Sequence, residues 1–450
     1  MKSTRTPLVA VLASGLAFAA IDRTPGATPL PGHSPLAELL AAGRGVAPSI
    51  CALAADGIGS GGWGSGPGAP AMPLTSDVRA RVRFLRHSPV PVEEARGLLG
   101  GLASADACER QLAATLIGRA EDKTLQAEVG RRLSSDAAPG RAAALVALGM
   151  MEAREQADTI VRVLRDSSPD VRANAAWALG RIGEGRTAAP VQGVLNDAEP
   201  AVRSAAAGAL GHLKSPESVG PLLRVLSDDA APEVRRVAAW AIGQLEQRTA
   251  AAGLATALQR DRSPEVREMA AWAIAELSAR EASGELVNAL LGDQEAPVRE
   301  TAAWALGQLE VGATRAGLTR ALADREPRVR ATAAWALGQM NAERAPAPLV
   351  KAIKDEDRHV RLAAAWALSQ IGDAEAAPAV ADALGQESDE HVRQAEVRAL
   401  VESGHATAGA MKGLLDSKDP KTRETAVRAL AGRKAPWPWP WPQPRPRPFP

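Results

Sequence analysis

The chain has 450 residues, of which 53 are Lys or Arg and 52 are Asp or Glu, leaving a formal net charge of +1. This balance argues against nucleic acid as the main partner, because phosphate binding needs a basic stripe. Aromatic residues make up only 3% of the chain, and Tyr is missing, so a stack of thin, Ala-rich helical layers fits better than one bulky core.

The first residues, 1–19, have the pattern of a signal peptide. Lys2 and Arg5 give it a charged start, residues 7–19 are nearly all apolar, and Ala17–Ala19 fits the small-x-small cleavage pattern. The sequence therefore predicts an exported protein, periplasmic or extracellular, without a membrane span once the signal is cleaved. An uncleaved membrane anchor is the alternative interpretation.

The next segment, residues 20–76, is rich in Gly and Pro and is predicted to be a linker or an N-terminal cap. Its "GIGSGG" at 57–62 matches a dinucleotide-binding pattern in form only, since no strand precedes it. The chain's two cysteines are Cys51, in this segment, and Cys108. In an exported protein they predict a disulfide, with two buried thiols as the alternative. Their spacing does not suit a metal site, and none is expected.

Residues 77–434 are predicted to form a helical solenoid, because an Arg that usually follows a Val recurs every 30 to 32 residues. These marker arginines are Arg110, Arg141, Arg172, Arg203, Arg235, Arg267, Arg299, Arg330, Arg361, Arg393 and Arg423. The period predicts an all-α, right-handed superhelix of about 11 two-helix repeats.

Each repeat predicts a short first helix, such as Thr249–Gln259, and a longer second helix that starts at a proline, such as Pro264. The apolar face of that second helix is predicted to be Val266, Ala270, Ala273, Ile274 and Leu277. A glycine often follows the marker Arg by eight residues and indicates close backbone packing; examples are Gly180, Gly243, Gly307 and Gly338.

A longer string, D-x-x-P-x-V-R-x-x-A-A-W-A-L-G, is nearly complete at Asp166–Gly180 and Asp324–Gly338. Over about residues 105–433 the pattern resembles HEAT-like repeats of the phycobilisome-lyase type. It also resembles the C-terminal arrays of some membrane metallopeptidases, here without the peptidase. The resemblance implies antiparallel helix pairs stacked in a curved superhelix, with the second helices on the concave side.

An acidic residue stands six positions before most marker arginines, in the turn that leads to the second helix. These acids are Asp166, Asp197, Asp229, Asp261, Asp293, Asp324, Asp355 and Glu387. We expect each of them to pair with a marker Arg of its own or a neighbouring repeat and to hold the repeats together. An anion-binding stripe is disfavoured, because the acids neutralise the arginines.

A tryptophan stands five positions after the marker Arg in six repeats, as Trp177, Trp240, Trp272, Trp304, Trp335 and Trp366. At about 100° per residue, this position points away from the apolar face, so the indoles are predicted to line the exposed inner wall. Four residues further on come Gln244, Glu276, Gln308, Gln339 and Gln370, which would lie beside them. The alternative is that the indoles stack between helices and stiffen the array.

This Trp and Gln pattern is similar to the Trp-x-x-x-Asn ladders of armadillo importins, which implies a groove for a protein or an extended peptide. Gly208 and Arg398 replace Trp at the same repeat position and limit the groove to about residues 235–370. The tail, residues 435–450, alternates Pro with Trp, Arg and other residues and favours polyproline II. It could occupy the groove, or bind another partner or none.

No sequence pattern indicates an enzyme or a cofactor. The chain has no His-Glu dipeptide, and it lacks the H-E-x-x-H, G-x-S-x-G and P-loop motifs. We therefore expect a non-catalytic binding scaffold. The alternatives are a regulatory arm of a membrane peptidase or sensor system and a subunit that resembles a bilin lyase.

Overall fold

A computed structural model describes residues 90–340, 342–402 and a few positions between 412 and 427. The chain divides into two compact units, one ending at Val225 and the other beginning at Leu226. The predicted signal peptide, the Gly/Pro-rich segment with Cys51, and the tail all lie outside the described residues.

The second helix of each repeat carries the marker Arg near its start. These helices are α2 (Ala107–Ile117), α4 (Ala138–Met150), α6 (Pro169–Ile182), α8 (Pro200–Leu213), α10 (Pro232–Gln244), α12 (Pro264–Glu276), α14 (Ala296–Leu309), α16 (Pro327–Gln339), α18 (Arg358–Ile371) and α20 (Glu390–Glu402). Five of them begin at a proline, where the missing N–H would have no helical acceptor in any case.

Most first helices are shorter, and most follow a 3-10 turn. They are α1 (Val92–Gly97), α3 (Lys123–Ser135), α5 (Ala157–Val163), α7 (Ala188–Gln192), α9 (Val219–Asp228), α11 (Ala251–Arg260), α13 (Ser283–Gly292), α15 (Arg315–Ala321), α17 (Ala347–Ala352) and α19 (Ala377–Gln386). The predicted first helix Thr249–Gln259 thus appears as α11, preceded by a 3-10 turn at Arg248–Ala250.

Within each unit, neighbouring second helices pack side by side, and first helices such as α11 and α13 pack on the second helix of their own repeat. In the first unit α6 lies between α4 and α8; in the second unit α10, α12, α14, α16, α18 and α20 follow one another in this order. The predicted all-α solenoid of two-helix repeats is therefore confirmed.

The core lies where the apolar faces of the second helices meet. In α12 all five residues of the predicted apolar face are buried, with Val266 and Ile274 at 0% and Leu277 at 3% exposure. Alanines permit a very close approach: a methyl group added to Gly180 would lie 2.7 Å from the Cα of Ala209 on the next second helix. The low aromatic content thus follows from packing between backbones.

Candidate functional site

The six ladder tryptophans are more enclosed than the sequence predicted. Trp240, Trp304, Trp335 and Trp366 are only 5–7% exposed, while Trp177 and Trp272 are partly exposed. The expectation of an open wall of indole faces is therefore wrong for four of the six positions.

The indoles of Trp272, Trp335 and Trp366 are enclosed in part because each lies against the second helix of the preceding repeat. A methyl group added to Gly338 would lie 2.6 Å from Cζ3 of Trp366, and one added to Gly307 would lie 2.7 Å from Cζ3 of Trp335. The same contact joins Trp272 to Gly243, at 3.0 Å from an added methyl group. The regular glycine is thus the position that receives the next tryptophan, which a single-helix projection does not show.

The polar row that follows the tryptophans is accessible. The side chains of Glu276, Gln308 and Gln370 are exposed, and those of Gln244 and Gln339 are partly exposed. Gln370 donates from Nε2 to Oγ of Ser369 at 3.2 Å. Within the described part of the chain, Gln244, Gln308 and Gln339 make no side-chain hydrogen bond. These three amides, which we call the amide row, remain available to an outside donor or acceptor.

Two half-buried acids on α12 and α14 lie on the position directly after the marker Arg. Burial raises the pKa of the Glu268 carboxyl, and the negative charge of Glu265 raises it further, although Thr301 donates a hydrogen bond to Glu268. Burial also raises the pKa of Glu300; Arg328 opposes this rise, and the charge of Glu268 adds to it. Both carboxylates are therefore poorly compensated and would gain from a cation.

The sequence reasoning missed this pair, which we call the acidic pair. Its signal was present, because the residues directly after Arg235, Arg267 and Arg299 are Arg236, Glu268 and Glu300, whereas the equivalent residue after Arg330 is Ala331. Comparing one repeat position down the whole array would have shown a charged patch in the middle repeats.

Within each unit, the acids and the marker arginines form a ladder of ion pairs along the turns. The sequence left open which repeat supplies the acid; the structure places it in the next repeat. The two-point pairs are Arg141–Asp166, Arg172–Asp197, Arg235–Asp261, Arg267–Asp293, Arg299–Asp324, Arg330–Asp355 and Arg361–Glu387, with N–O distances of 2.6 to 3.2 Å.

Each marker Arg also holds its own turn. Nη1 of Arg299 donates to the carbonyl oxygens of Asp293 and Gln294 at 3.0 Å, while Nε and Nη2 reach Asp324 in the following repeat. Arg203 donates in the same way to the carbonyl of Asp197, and the carbonyl of Asp229 accepts from Arg235. Because these guanidinium groups are already occupied, this side of the array is structural.

Burial and the ion pairs act in opposite directions on the ladder acids. Burial raises the pKa of the Asp293 carboxyl, but hydrogen bonds from Arg267 and from the backbone N–H of Glu295 lower it by more. The hydrogen bond from Arg172 is the main cause of the lowered pKa of Asp197. Asp197 and Asp293 are therefore ionised at neutral pH.

The remaining sequence expectations concern a metal site, the cysteines and membrane spans. Among the described residues, no three His, Cys, Asp or Glu side chains are grouped so that they could hold a metal ion. Cys108 is buried in α2 at 3% exposure, and its pairing with Cys51 stays a prediction. None of the described helices is both long and apolar enough to cross a membrane.

Several solved structures are similar to parts of this chain. An engineered protein is 21% identical with a TM-score of 0.42, covering 75% of this chain and 98% of its own. Kap95p, in a structure with RanGDP, is 16% identical with a TM-score of 0.48, and the match covers 94% of this chain and 68% of Kap95p. Human deoxyhypusine hydroxylase is 26% identical with a TM-score of 0.26, and the match covers 55% of this chain and 96% of the hydroxylase.

No curated protein matches the chain in sequence. The family model for HEAT repeats matches five overlapping stretches, at residues 128–197, 157–243, 187–262, 251–322 and 314–401. Together these matches extend from residue 128 to residue 401, which is more than half of the 450-residue chain. The chain therefore belongs to the HEAT-repeat family.

Proposed function

We propose that this protein is an exported scaffold that binds an extended segment of a partner protein along the amide row of its second unit. HEAT-repeat scaffolds generally mediate protein interactions. The exported location rests on the sequence of residues 1–19. The observation that carries the binding proposal is the set of accessible amides on Gln244, Gln308 and Gln339, which make no hydrogen bond in the described part of the chain.

An amide repeated at each second helix suits the backbone of an extended peptide. Packed helices lie about 8–10 Å apart, and three residues of polyproline II advance about 9.3 Å. A side-chain amide has both a donor and an acceptor, so it can bond the N–H and C=O groups that an extended peptide leaves unpaired. Peptide recognition of this kind would depend on the amides, with the partly exposed Trp272 as a secondary apolar contact.

The acidic pair adds a preference for positive charge in the bound segment. Glu268 and Glu300 lie on neighbouring second helices, burial penalises both ionised forms, and the charge of Glu268 adds to the penalty on Glu300. A Lys or Arg of the partner would relieve this penalty. Residues 436–450 of this chain offer one such segment, since Arg445 and Arg447 alternate there with proline.

Replacing the three amides tests the proposal. In the variant Gln244→Ala/Gln308→Ala/Gln339→Ala we expect affinity for peptides selected against the wild type to fall at least about tenfold, because each lost hydrogen bond contributes about 0.5–1.5 kcal/mol. Fluorescence anisotropy with the selected peptides, and with a synthetic peptide of residues 436–450, measures this loss.

A control variant removes the same number of exposed amides from the first helices and the turns. Gln259, Asn288 and Gln294 are exposed there, and their replacement by Ala should leave the affinity unchanged. Equal affinities for the wild type and the amide-row variant would rule out the amide row as the binding surface.

A further inference from the structure

One carboxyl group in the second unit is completely enclosed and unpaired. Glu396, on α20, has an exposure of 0%. Neither Oε1 nor Oε2 has a hydrogen-bond partner in the described part of the chain. A buried polar group without a partner is costly, and an ionised one is far more so.

The repeat position of Glu396 shows how unusual this group is. It stands three residues after the marker Arg393, and the equivalent position in every other described second helix is an alanine at 0% exposure. These alanines are Ala113, Ala144, Ala175, Ala206, Ala238, Ala270, Ala302, Ala333 and Ala364. A carboxyl group therefore occupies a position that elsewhere in the array holds only a methyl group.

The neighbouring charges do not compensate Glu396. Burial raises its pKa to about 8, and the charge of Glu387 adds to this rise, while Arg361 on α18 and Arg393 on α20 oppose it. Both arginines are engaged elsewhere: Nε of Arg361 donates to Oε2 of Glu387 at 2.6 Å, and Nη1 of Arg393 donates to the carbonyl of Ser388 at 3.1 Å.

The first helix α19 and the described residues beyond α20 carry the other charges near this helix. The first helix α19 presents the buried Val380 and Ala383, and its Asp382 is exposed and paired with Lys354. Beyond α20, the described residues place Ala426 against Val397, and the charged side chains described there are Lys412, Asp416, Arg423 and Glu424.

We propose that α20 packs on the preceding repeat only while Glu396 carries a proton, so that this end of the second unit loosens as the pH rises. The packed state then holds one more proton than the opened state over a defined range of pH. Its stability falls with rising pH wherever that difference exists.

The sign and the range follow from the two pKa values of Glu396. In the opened helix the carboxyl has an ordinary pKa of about 4.3, and in the packed helix its pKa is about 8. Below the first value both states are protonated, and the packing equilibrium does not change with pH through this group. Between the two values the packing equilibrium weakens by up to about tenfold per pH unit, and above the second it levels off.

Amide hydrogen exchange of the full chain between pH 5 and pH 9 tests the proposal, with each rate corrected for intrinsic exchange at that pH. In the wild type, protection of α20 should fall at least about tenfold between pH 5.5 and pH 8. Protection of α14, in the same unit, should change far less over this range.

Two variants separate charge from shape. Glu396→Ala restores the residue found in the other repeats and should give high, pH-independent protection of α20. Glu396→Gln keeps the size but cannot ionise, and it should also remove the pH dependence. Glu375→Ala, at an exposed acid of the same unit, should retain the wild-type dependence. A wild-type profile as flat as that of Glu396→Ala, or a slope that survives in both variants, would overturn the proposal.

Discussion

At the scale of single residues, the packing of neighbouring second helices depends on contacts between a tryptophan and a glycine. Trp366 covers Gly338 and Trp335 covers Gly307, so in these repeats an indole fills the space beside the glycine of the preceding repeat. The two residues of a pair are far apart in sequence, on different helices. Their separate periods can be read from the sequence, but their contact cannot, because it depends on how neighbouring helices are offset.

Filling one of these gaps should destabilise the second unit. A methyl group on Gly338 would lie 2.6 Å from Cζ3 of Trp366 and 2.7 Å from the Cα of Ala367. The second contact is with backbone, which cannot rotate away. We expect Gly338→Ala to lower the free energy of unfolding by about 1–3 kcal/mol, the usual range for overpacked cores, and urea denaturation followed by circular dichroism measures this change.

The matched control is Gly284→Ala, on the first helix α13. An added methyl group there meets nothing within 4 Å, and alanine is the better helix former by about 1 kcal/mol. Gly284→Ala should therefore be neutral or slightly stabilising. If both variants lost the same stability, helix propensity would explain the effect and the Trp–Gly contact would not.

At the scale of elements, the starts and apolar faces of the second helices could be predicted, and several of their ends could not. Pro264 predicted the first turn of α12, and the spacing from Val266 to Leu277 predicted its buried face. The 3-10 turn after α14 was not predicted, because it follows Glu310, which adopts φ of 50° without the glycine that usually marks such a position.

The polar row of the site could be predicted in the same way, because its position relative to Trp is a property of one helix. Gln308 and Gln370 are exposed as expected. The burial of Trp304 and Trp366 could not be predicted, and neither could the raised pKa of Glu268 and Glu300. Both effects arise from packing against the neighbouring helices.

The turns between helices offer a second prediction, at the pair of Arg299 and Asp324. Their side chains are 6% and 11% exposed, and Arg299 also holds two carbonyl groups of its own turn. Removing one partner leaves the other charge buried, so Arg299→Ala should cost about 3–5 kcal/mol of unfolding free energy. Arg299→Lys should recover only part, because an ammonium group cannot reproduce the two-point contact.

An exposed pair in the same unit serves as the comparison. Arg248 and Glu281 also join neighbouring repeats, but their side chains are 59% and 51% exposed. Arg248→Ala should change the unfolding free energy by at most about 1 kcal/mol. Similar losses for Arg248→Ala and Arg299→Ala would show that exposed and buried ion pairs link the repeats equally well, and that the buried ladder has no special role.

At the scale of the whole molecule, the ladder acids should make the fold sensitive to acid. Arg172 and a backbone N–H outweigh burial to lower the pKa of Asp197, and burial of Asp324 is likewise outweighed by Arg299 and a backbone N–H. A carboxyl whose folded pKa is lowered stabilises the fold above its unfolded pKa of about 3.9, and this contribution is lost as the pH falls through the folded value. The same shift recurs at Asp166, Asp261, Asp293 and Glu387.

We therefore expect the unfolding free energy to fall steeply below about pH 4, because several groups bind protons together on unfolding. Urea denaturation at pH values from 2.5 to 6 should give a slope above about 1.4 kcal/mol per pH unit, which is the limit for a single proton. Asp324→Asn removes one titrating group, so this variant should be less stable at pH 7 but should lose stability less steeply in acid. If its slope equalled that of the wild type, or if the wild type kept its full stability at pH 3, the ladder would not be the source of acid sensitivity.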